Sequence, residues 1–95
     1  MSYDEAHAWE ARAKREGVSK VARSQRGFMR FYEKFANKEI QDPELIKWWI
    51  RRRKGFVARH MKQYEAHKTP RRWLALVMWA YMPGPCPVDA EICSK

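Results

Sequence analysis

The stretch that decides the fold is TPRRWLALVMWAYMP, residues 69–83. Thr69 supplies a side-chain acceptor of the kind that caps a helix, and Pro70 suits the first helical position. After Arg72 the stretch is apolar on nearly every side, which is typical of the central helix of a bundle. The sequence therefore predicts a helix over about 70–82 in the middle of the core.

The preceding segment carries the same start signal. Asp42 followed by Pro43 predicts a long helix that runs to about His67. Gly55 lies in the middle of that helix and predicts either a kink or a close approach to another helix. The predicted buried face of the helix consists of Ile46, Trp49, Ile50, Phe56, Val57, His60, Met61 and Tyr64.

A first helix is predicted near the N-terminus. Ser2 and Glu5 have the spacing of a capping box, which predicts a helix over about 3–15 that stops near Gly17. The residues around Gly17 also match part of a helix-turn-helix pattern. Charged residues occupy positions where that motif packs its two helices, so a helix-ending glycine is favoured.

A second helix is predicted to begin at a Ser24 cap and to reach about Ala36. Its buried face is predicted to be aromatic and consists of Phe28, Phe31, Tyr32 and Phe35. Arg26, Arg30 and Lys34 are four residues apart, so we expect them to form an exposed ridge of the same helix.

These elements predict an all-α protein, a compact three- or four-helix bundle with a short irregular, proline-rich C-terminal tail. The 95 residues fit a single helical domain over 1–83, with the tail over 84–95. No apolar run approaches the ~20 residues of a membrane span, so no membrane partner is expected. The charged N-terminus and the low number of cysteines, Cys86 and Cys93, predict a cytoplasmic protein with reduced thiols. The alternative is a local bridge between the two cysteines, which would constrain only the tail.

The chain is strongly basic, with 20 Lys and Arg against 11 Asp and Glu and a formal net charge of +9. Like charges at this density destabilise a fold unless an anion neutralises them, and arginine forks suit phosphate groups. Arg71 and Arg72 oppose the dipole at a helix start, which leaves them without a stabilising role there. We therefore predict a non-catalytic protein that binds DNA or RNA. The predicted contact residues are Lys20, Arg23, Arg26, Arg30, Arg51, Arg52, Arg53, Arg59, Lys62, Arg71 and Arg72.

The five tryptophans give a second indication. Trp48 and Trp49 are adjacent, so they cannot both point inward from one helix, and Trp48 is predicted as a stacking or partner contact. Aromatic residues interleaved with arginines suit stacking on unpaired bases. Because Trp and Arg also dominate protein–protein hot spots, the alternative is an interaction module, such as a viral inhibitor or virion component, whose basic face docks on an acidic protein.

Catalytic and metal-binding patterns are poor, so no enzyme activity, metal or cofactor is expected. The pair Arg53 and His60 resembles the Arg–His pair of the HEPN ribonucleases, in which the two groups supply acid–base catalysis and phosphate stabilisation. An RNase that uses this pair is a third and less favoured hypothesis. The spacing of the histidines and cysteines does not match the short spacings of zinc sites.

Three stretches carry a family resemblance: SKVARSQRGF (19–28), RRRKGFVARHM (51–61) and TPRRWLALVMWAYMP (69–83). Together they are similar to a family of small, uncharacterised basic proteins of phages, other large DNA viruses and some bacteria, and the resemblance spans residues 19–83. It implies a viral accessory or virion-associated protein that acts in the host cytoplasm, around DNA or against a host machine. The apolar last helix is compatible with a homodimer, although a small bundle also needs such a helix for its own core.

Overall fold

The chain forms five helical segments in the computed structural model, which describes residues 1–87 and Cys93. These are α1 (Tyr3–His7), α2 (Glu10–Glu16), α3 (Phe28–Ala36), α4 (Pro43–Ala66) and α5 (Pro70–Val77). The described part of the chain contains no strand. The predicted all-α class and helical bundle are therefore confirmed, and the radius of gyration of 13.1 Å is that of a compact domain of this length.

Three predicted helix starts are confirmed by their hydrogen bonds. Ser2 Oγ accepts from the backbone N–H of Glu5 at 3.2 Å, and the Glu5 carboxylate accepts from the backbone N–H of Ser2 at 3.1 Å. Asp42 Oδ1 and Thr69 Oγ1 accept from N–H groups in the first turns of α4 and α5. Gly17 ends α2 in the left-handed conformation, with φ of 68°, as a helix-ending glycine does.

The predicted first helix is divided into two. It breaks between α1 and α2, where Trp9 turns into the core and meets Trp73 edge-on at a centroid distance of 4.8 Å. Ala6, Trp9 and Ala13 are all buried, and their spacing of three and four residues keeps them on one side of the N-terminal segment despite the break.

The predicted cap at Ser24 is wrong, because residues 18–27 form a series of turns instead of a helix. The Ser24 hydroxyl donates to the Val21 carbonyl at 2.7 Å, and α3 begins after Gly27. A Cβ atom at Gly27 would overlap the carbonyl oxygens of Val21 and Ala22, so only glycine fits this fold-back of the chain. The Arg26 end of the predicted ridge therefore lies outside α3.

α5 is shorter than predicted. It ends at Val77 instead of continuing to about residue 82, and Ala80 has a left-handed φ of 55° that interrupts a right-handed helix. The carbonyl groups of Trp79 and Ala80 accept hydrogen bonds from Arg53 on α4. The chain therefore leaves the helix after Val77, while the side chains of Trp79 and Ala80 stay buried.

α5 forms the centre of the core, as predicted. Trp73, Leu74, Leu76 and Val77 are at most 1% exposed, and so is Met78 directly after the helix. The helix packs against α4 and α2, while α1 packs against α3. α5 therefore serves the core of its own chain, which is one of the two roles considered for it.

The predicted buried face of α4 is confirmed only in part. Trp49 and Tyr64 are buried, but Ile50 is 48% exposed. Trp49 occupies the contact with α3, where its ring stacks on Phe31 at 5.2 Å, and Ile50 lies beside that contact. The remaining members are half-buried: Ile46, Phe56, Val57, His60 and Met61.

The expectation of reduced thiols is wrong. Cys86 and Cys93 form a disulfide, with their Cα atoms 5.8 Å apart, a separation that a disulfide spans. Of the predicted tail, residues 84–87 are irregular as expected, and the rest apart from Cys93 lies outside the described residues. Within the described part of the chain, no helix is both long enough and apolar enough to cross a bilayer.

Candidate functional site

The outer face of α4 concentrates positive charge. Between residues 45 and 64 the sequence has seven Lys and Arg and no Asp or Glu. Repulsion between neighbouring cations at helical spacing disfavours such a segment unless other groups compensate for it. Six of the seven are exposed and form the basic face of α4, and the seventh, Arg53, is half-buried. The six are Lys47, Arg51, Arg52, Lys54, Arg59 and Lys62.

A cleft of about 360 Å³ lies along this face. α4 supplies most of its lining from positions separated by three, four, seven, eight and eleven residues, so about three turns of one helix face line it. The segment after α5 supplies one more ring, and none of the lining residues is acidic. The lining consists of Trp48, Arg51, Arg52, Gly55, Phe56, Arg59 and Trp79.

The cleft has a flat aromatic floor. Phe56 stacks on Trp79 with ring centroids 4.5 Å apart, and the His60 ring stacks on Phe56 at 3.8 Å. Trp79 is itself stacked on Phe28 of α3 at 4.8 Å. The floor is therefore fixed in place by the core, as part of one stack of four rings that covers both faces of Phe56 and Trp79.

Trp48 stands at the rim with 47% of its surface exposed, which confirms that one of the two adjacent tryptophans lies at an edge. The Arg52 guanidinium carbon lies 4.8 Å from the centroid of the Trp48 ring, in cation–π geometry. Trp49 meets Trp48 edge-on at 4.9 Å. An aromatic ring and a guanidinium plane thus form one wall of the cleft.

Three cations on this face keep their charge available. Within residues 1–87 and Cys93, the exposed side chains of Arg51, Arg59 and Lys62 have no hydrogen-bond or ion-pair partner. His60 adds no charge near neutral pH, because burial and then the positive charge of Arg59 lower its pKa below the ordinary value of 6.5. The positive charge of the cleft therefore comes from its arginines.

Other arginines of the predicted interface are hydrogen-bonded to backbone carbonyls. Arg53 donates from Nε to the Trp79 carbonyl and from Nη2 to the Ala80 carbonyl, both at 2.8 Å. Arg23 donates from Nε to the Val18 carbonyl at 2.7 Å. These guanidinium groups hold the main chain in place, Arg53 through two donors and Arg23 through one.

The expectation that Arg71 and Arg72 lack a stabilising role is wrong. Arg72 donates from Nη1 to the carbonyls of Gln63 and His67, at 2.9 and 3.2 Å, where α4 ends. Arg71 donates to the carbonyl of Glu16, the last residue of α2. Both residues open α5, but their charges lie at the C-terminal ends of other helices, where the dipole and the free carbonyls attract cations.

Arg30 belongs to an ion-pair network between the N-terminal helices and α3. Its guanidinium pairs with Glu10 and lies 3.4 Å from the hydroxyl of Tyr3, which donates to Glu33 at 3.1 Å. Burial and the hydrogen bond to Glu33 raise the pKa of Tyr3 to about 12. Arg30 is therefore occupied by acids, unlike the exposed ridge that the sequence predicted.

The remaining predicted contacts lie apart from the cleft. Lys20 and Arg26 are exposed in the turns of residues 18–27 and do not line the cleft. The Arg53–His60 pair stays a prediction, with the guanidinium bound to carbonyls and the imidazole stacked on Phe56. Among the described residues, no group of three or more His, Cys, Asp and Glu is placed to hold a metal ion.

No protein-family model, curated protein or solved structure matches this chain. The resemblance to small basic phage and viral proteins stays a prediction. The functional interpretation therefore rests on the chemistry of the cleft and of the basic face around it.

Proposed function

We propose that this is a non-catalytic nucleic-acid-binding protein that contacts phosphates through the basic face of α4. The observation that carries the proposal is the cleft, in which Arg51, Arg52 and Arg59 surround an aromatic floor without an acidic neighbour. Arginine forks bind phosphate oxygens in pairs, and aromatic rings stack on bases. Nucleic acid offers both groups in one ligand.

The distribution of charge supports the same proposal. Arg30 is paired with acids, and Arg23, Arg53, Arg71 and Arg72 are held by carbonyls, so these arginines have a role within the fold. Arg51, Arg59 and Lys62 on the outer face of α4 have no comparable partner among the described residues. A polyanion that neutralises them would remove the repulsion along this helix, and release of its counterions would drive binding.

The test is fluorescence anisotropy with labelled double-stranded DNA, single-stranded DNA and RNA, at salt concentrations from about 50 to 200 mM. We expect binding that weakens steeply with salt, and a large loss of affinity in the double variant Arg51→Glu with Arg59→Glu. The matched control is Lys14→Glu with Lys34→Glu, which makes the same change of net charge at exposed positions outside the cleft. Absence of binding at low salt, or an equal loss in the control, would contradict the proposal.

The alternative partner is an acidic protein, as for a viral inhibitor or virion component. It is favoured by the exposure of Trp48 next to Arg52, since Trp and Arg are the residues that anchor protein interfaces. Binding of an acidic peptide that is lost on reversal of Arg51 and Arg59, without any binding of nucleic acid, would establish it. Cleavage of RNA that is lost in His60→Ala would instead identify an RNase.

A further inference from the structure

We infer that the ligand of the α4 cleft is a single-stranded nucleic acid, one of whose unpaired bases enters the cleft and stacks on its aromatic and guanidinium walls. This inference rests on the proposed function and specifies its ligand. It depends on three observations: the planar lining of the cleft, the distribution of cations along its rim, and the glycine in its floor.

The lining presents an exposed flat surface at the rim. The Trp48 ring, which is 47% exposed, and the Arg52 guanidinium form this wall. Phe56 and Trp79 form the floor, where other rings cover both of their faces. Unstacked bases bind on aromatic rings and on guanidinium planes, and such stacking tolerates any base because every base has a π face. A cleft of about 360 Å³ is at the small end of ligand pockets, which suits one base better than a larger group.

The cations lie where the backbone on either side of that base would run. Arg51 and Arg59 are eight residues apart on α4, which separates their Cα atoms by about 12 Å along the helix axis. The Arg59 guanidinium reaches back toward Gly55, in the middle of the cleft. Lys62 continues the same side of the helix one turn further. A strand that places a base between the two arginines would bring its flanking phosphates to both of them.

A duplex would use only part of this surface. Its bases are stacked on each other, so it would offer phosphates to the arginines but no base face to Trp48. A helix that reads base edges in the major groove commonly uses Asn or Gln as well as Arg, and neither amide residue lines the cleft. The aromatic lining therefore favours an unpaired strand.

Gly55 provides an independent indication that the cleft is kept open. Glycine is the least favourable non-proline residue in a helix interior, yet α4 continues without interruption through this position. A Cβ atom there would meet only the tip of Arg59, at 3.6 Å, so no neighbouring helix requires glycine. Of the two roles that the sequence predicts for Gly55, the close helix approach is therefore wrong. A side chain here would occupy the floor of the cleft.

The experiment compares two labelled single strands of about 12 nucleotides, an oligothymidylate and an abasic strand of the same length and phosphate number. The full chain is titrated with each strand by fluorescence anisotropy at one salt concentration. We expect the oligothymidylate to bind roughly five- to hundredfold more tightly than the abasic strand, which is the range for stacking of one base.

Two variants locate the effect in the cleft. Trp48→Ala removes the wall and Gly55→Leu fills the floor, while both keep every cation. Each is expected to reduce the affinity for oligothymidylate and to leave the affinity for the abasic strand unchanged. The control is Phe35→Ala, which removes an aromatic ring that is 41% exposed and outside the cleft, and it is expected to change neither affinity.

The outcomes separate this inference from the proposed function. Equal affinity of the unmodified chain for both strands, or tighter binding of a duplex, would overturn the inference and leave nucleic-acid binding in place. Binding of neither strand would overturn the proposed function and the inference with it. Circular dichroism of each variant shows whether it is folded, and Gly55→Leu tests the cleft even if Trp48→Ala unfolds.

Discussion

Arg52 and Arg53 are neighbours on α4, yet they belong to different regions of the molecule. Arg52 lies over the exposed ring of Trp48 at the rim of the cleft, whereas Arg53 reaches inward to the carbonyls of the segment after α5. One position along a helix rotates a side chain by about 100°, so adjacent arginines face different surroundings. Charge density in the sequence therefore does not identify a ligand surface, since half of such a cluster can be occupied by the fold itself.

The inward-facing set has a common role. Arg23, Arg53, Arg71 and Arg72, which we call the carbonyl-binding arginines, donate to main-chain carbonyls at or just after the end of a helix. The last carbonyls of a helix have no partner within it and carry the negative end of its dipole. Arg53, Arg71 and Arg72 thus connect one helix to the end of another, and Arg23 fixes the turns that follow α2.

Gly27 and Gly55 show the same contrast, between a residue that the fold requires and a residue on the basic face of α4. Gly27 is enclosed by the carbonyls of Val21 and Ala22, whereas Gly55 has open space beside it up to the tip of Arg59. The first glycine is required by the path of the chain. The second is not required by packing, so substitutions at the two positions should have opposite effects on stability.

The largest effect is expected for Gly27→Ala. The added methyl group would overlap two backbone carbonyl oxygens that cannot move without opening the turns of residues 18–27. We expect the free energy of unfolding to fall by more than about 3 kcal/mol, at the upper end of overpacking effects. Urea denaturation followed by circular dichroism measures it, and a loss below about 1 kcal/mol would show that this segment relaxes easily.

The next largest effect separates the two neighbouring arginines. Arg53→Met would leave the Trp79 and Ala80 carbonyls without a donor in a buried segment, which is expected to lower the free energy of unfolding by about 2–4 kcal/mol. Arg52→Met removes only a cation–π contact at the surface, with an expected loss of about 0.5–1 kcal/mol. Similar losses of stability in the two variants would show that Arg52 and Arg53 contribute equally to the fold.

Local signals in the sequence predicted three of the helix starts. Ser2, Asp42 and Thr69 act on N–H groups two or three residues away, so their effect is visible in a short window. The errors come from contacts that are distant in sequence. Trp9 breaks the first helix against Trp73, and such a pairing leaves no local pattern.

The candidate site divides in the same way. The spacing of Trp48, Arg52, Gly55 and Arg59 along one helix face could have been recognised from periodicity alone, since all four come from α4. Trp79 could not, because its place in the floor depends on the packing of α5 against α4. Nor does any local signal distinguish arginines that bind carbonyls from those that remain free.

Salt dependence of binding provides a third comparison. Arg59→Gln should reduce the slope of log affinity against log salt by about 0.7, the value for one phosphate contact on a single strand. Arg72→Gln also removes one positive charge, but from a carbonyl-binding arginine. The salt slope of this variant should therefore match that of the unmodified chain. Anisotropy titrations at several salt concentrations measure both slopes. A decrease of equal size in Arg72→Gln would show that net charge alone sets the affinity.

Gly55→Ala should have a smaller effect, and of opposite sign to Gly27→Ala. Alanine is favoured over glycine in a helix interior by roughly 0.5–1 kcal/mol, and the new methyl group meets only Arg59 at 3.6 Å. We therefore expect urea denaturation to show a modest gain in stability. A loss of stability would mean that glycine is needed for packing, which would weaken the argument that it keeps the cleft open.

The smallest effect concerns His60. Its ring stacks on Phe56 in the floor of the cleft, and it is next to the exposed Arg59 in sequence. Burial first, and then the charge of Arg59, lower its pKa below 6.5 in the folded state. Since the unfolded chain then binds the proton more readily, the contribution of His60 to stability is present above pH 6.5 and is lost as the pH falls through the folded pKa.

An NMR titration of the imidazole should give a midpoint below 6.5, and Arg59→Gln should raise it by removing the nearby charge. Phosphates bound at Arg59 would screen the same charge, so a bound oligonucleotide should also raise the midpoint. A midpoint that stays constant in the complex would place the strand away from this part of the cleft.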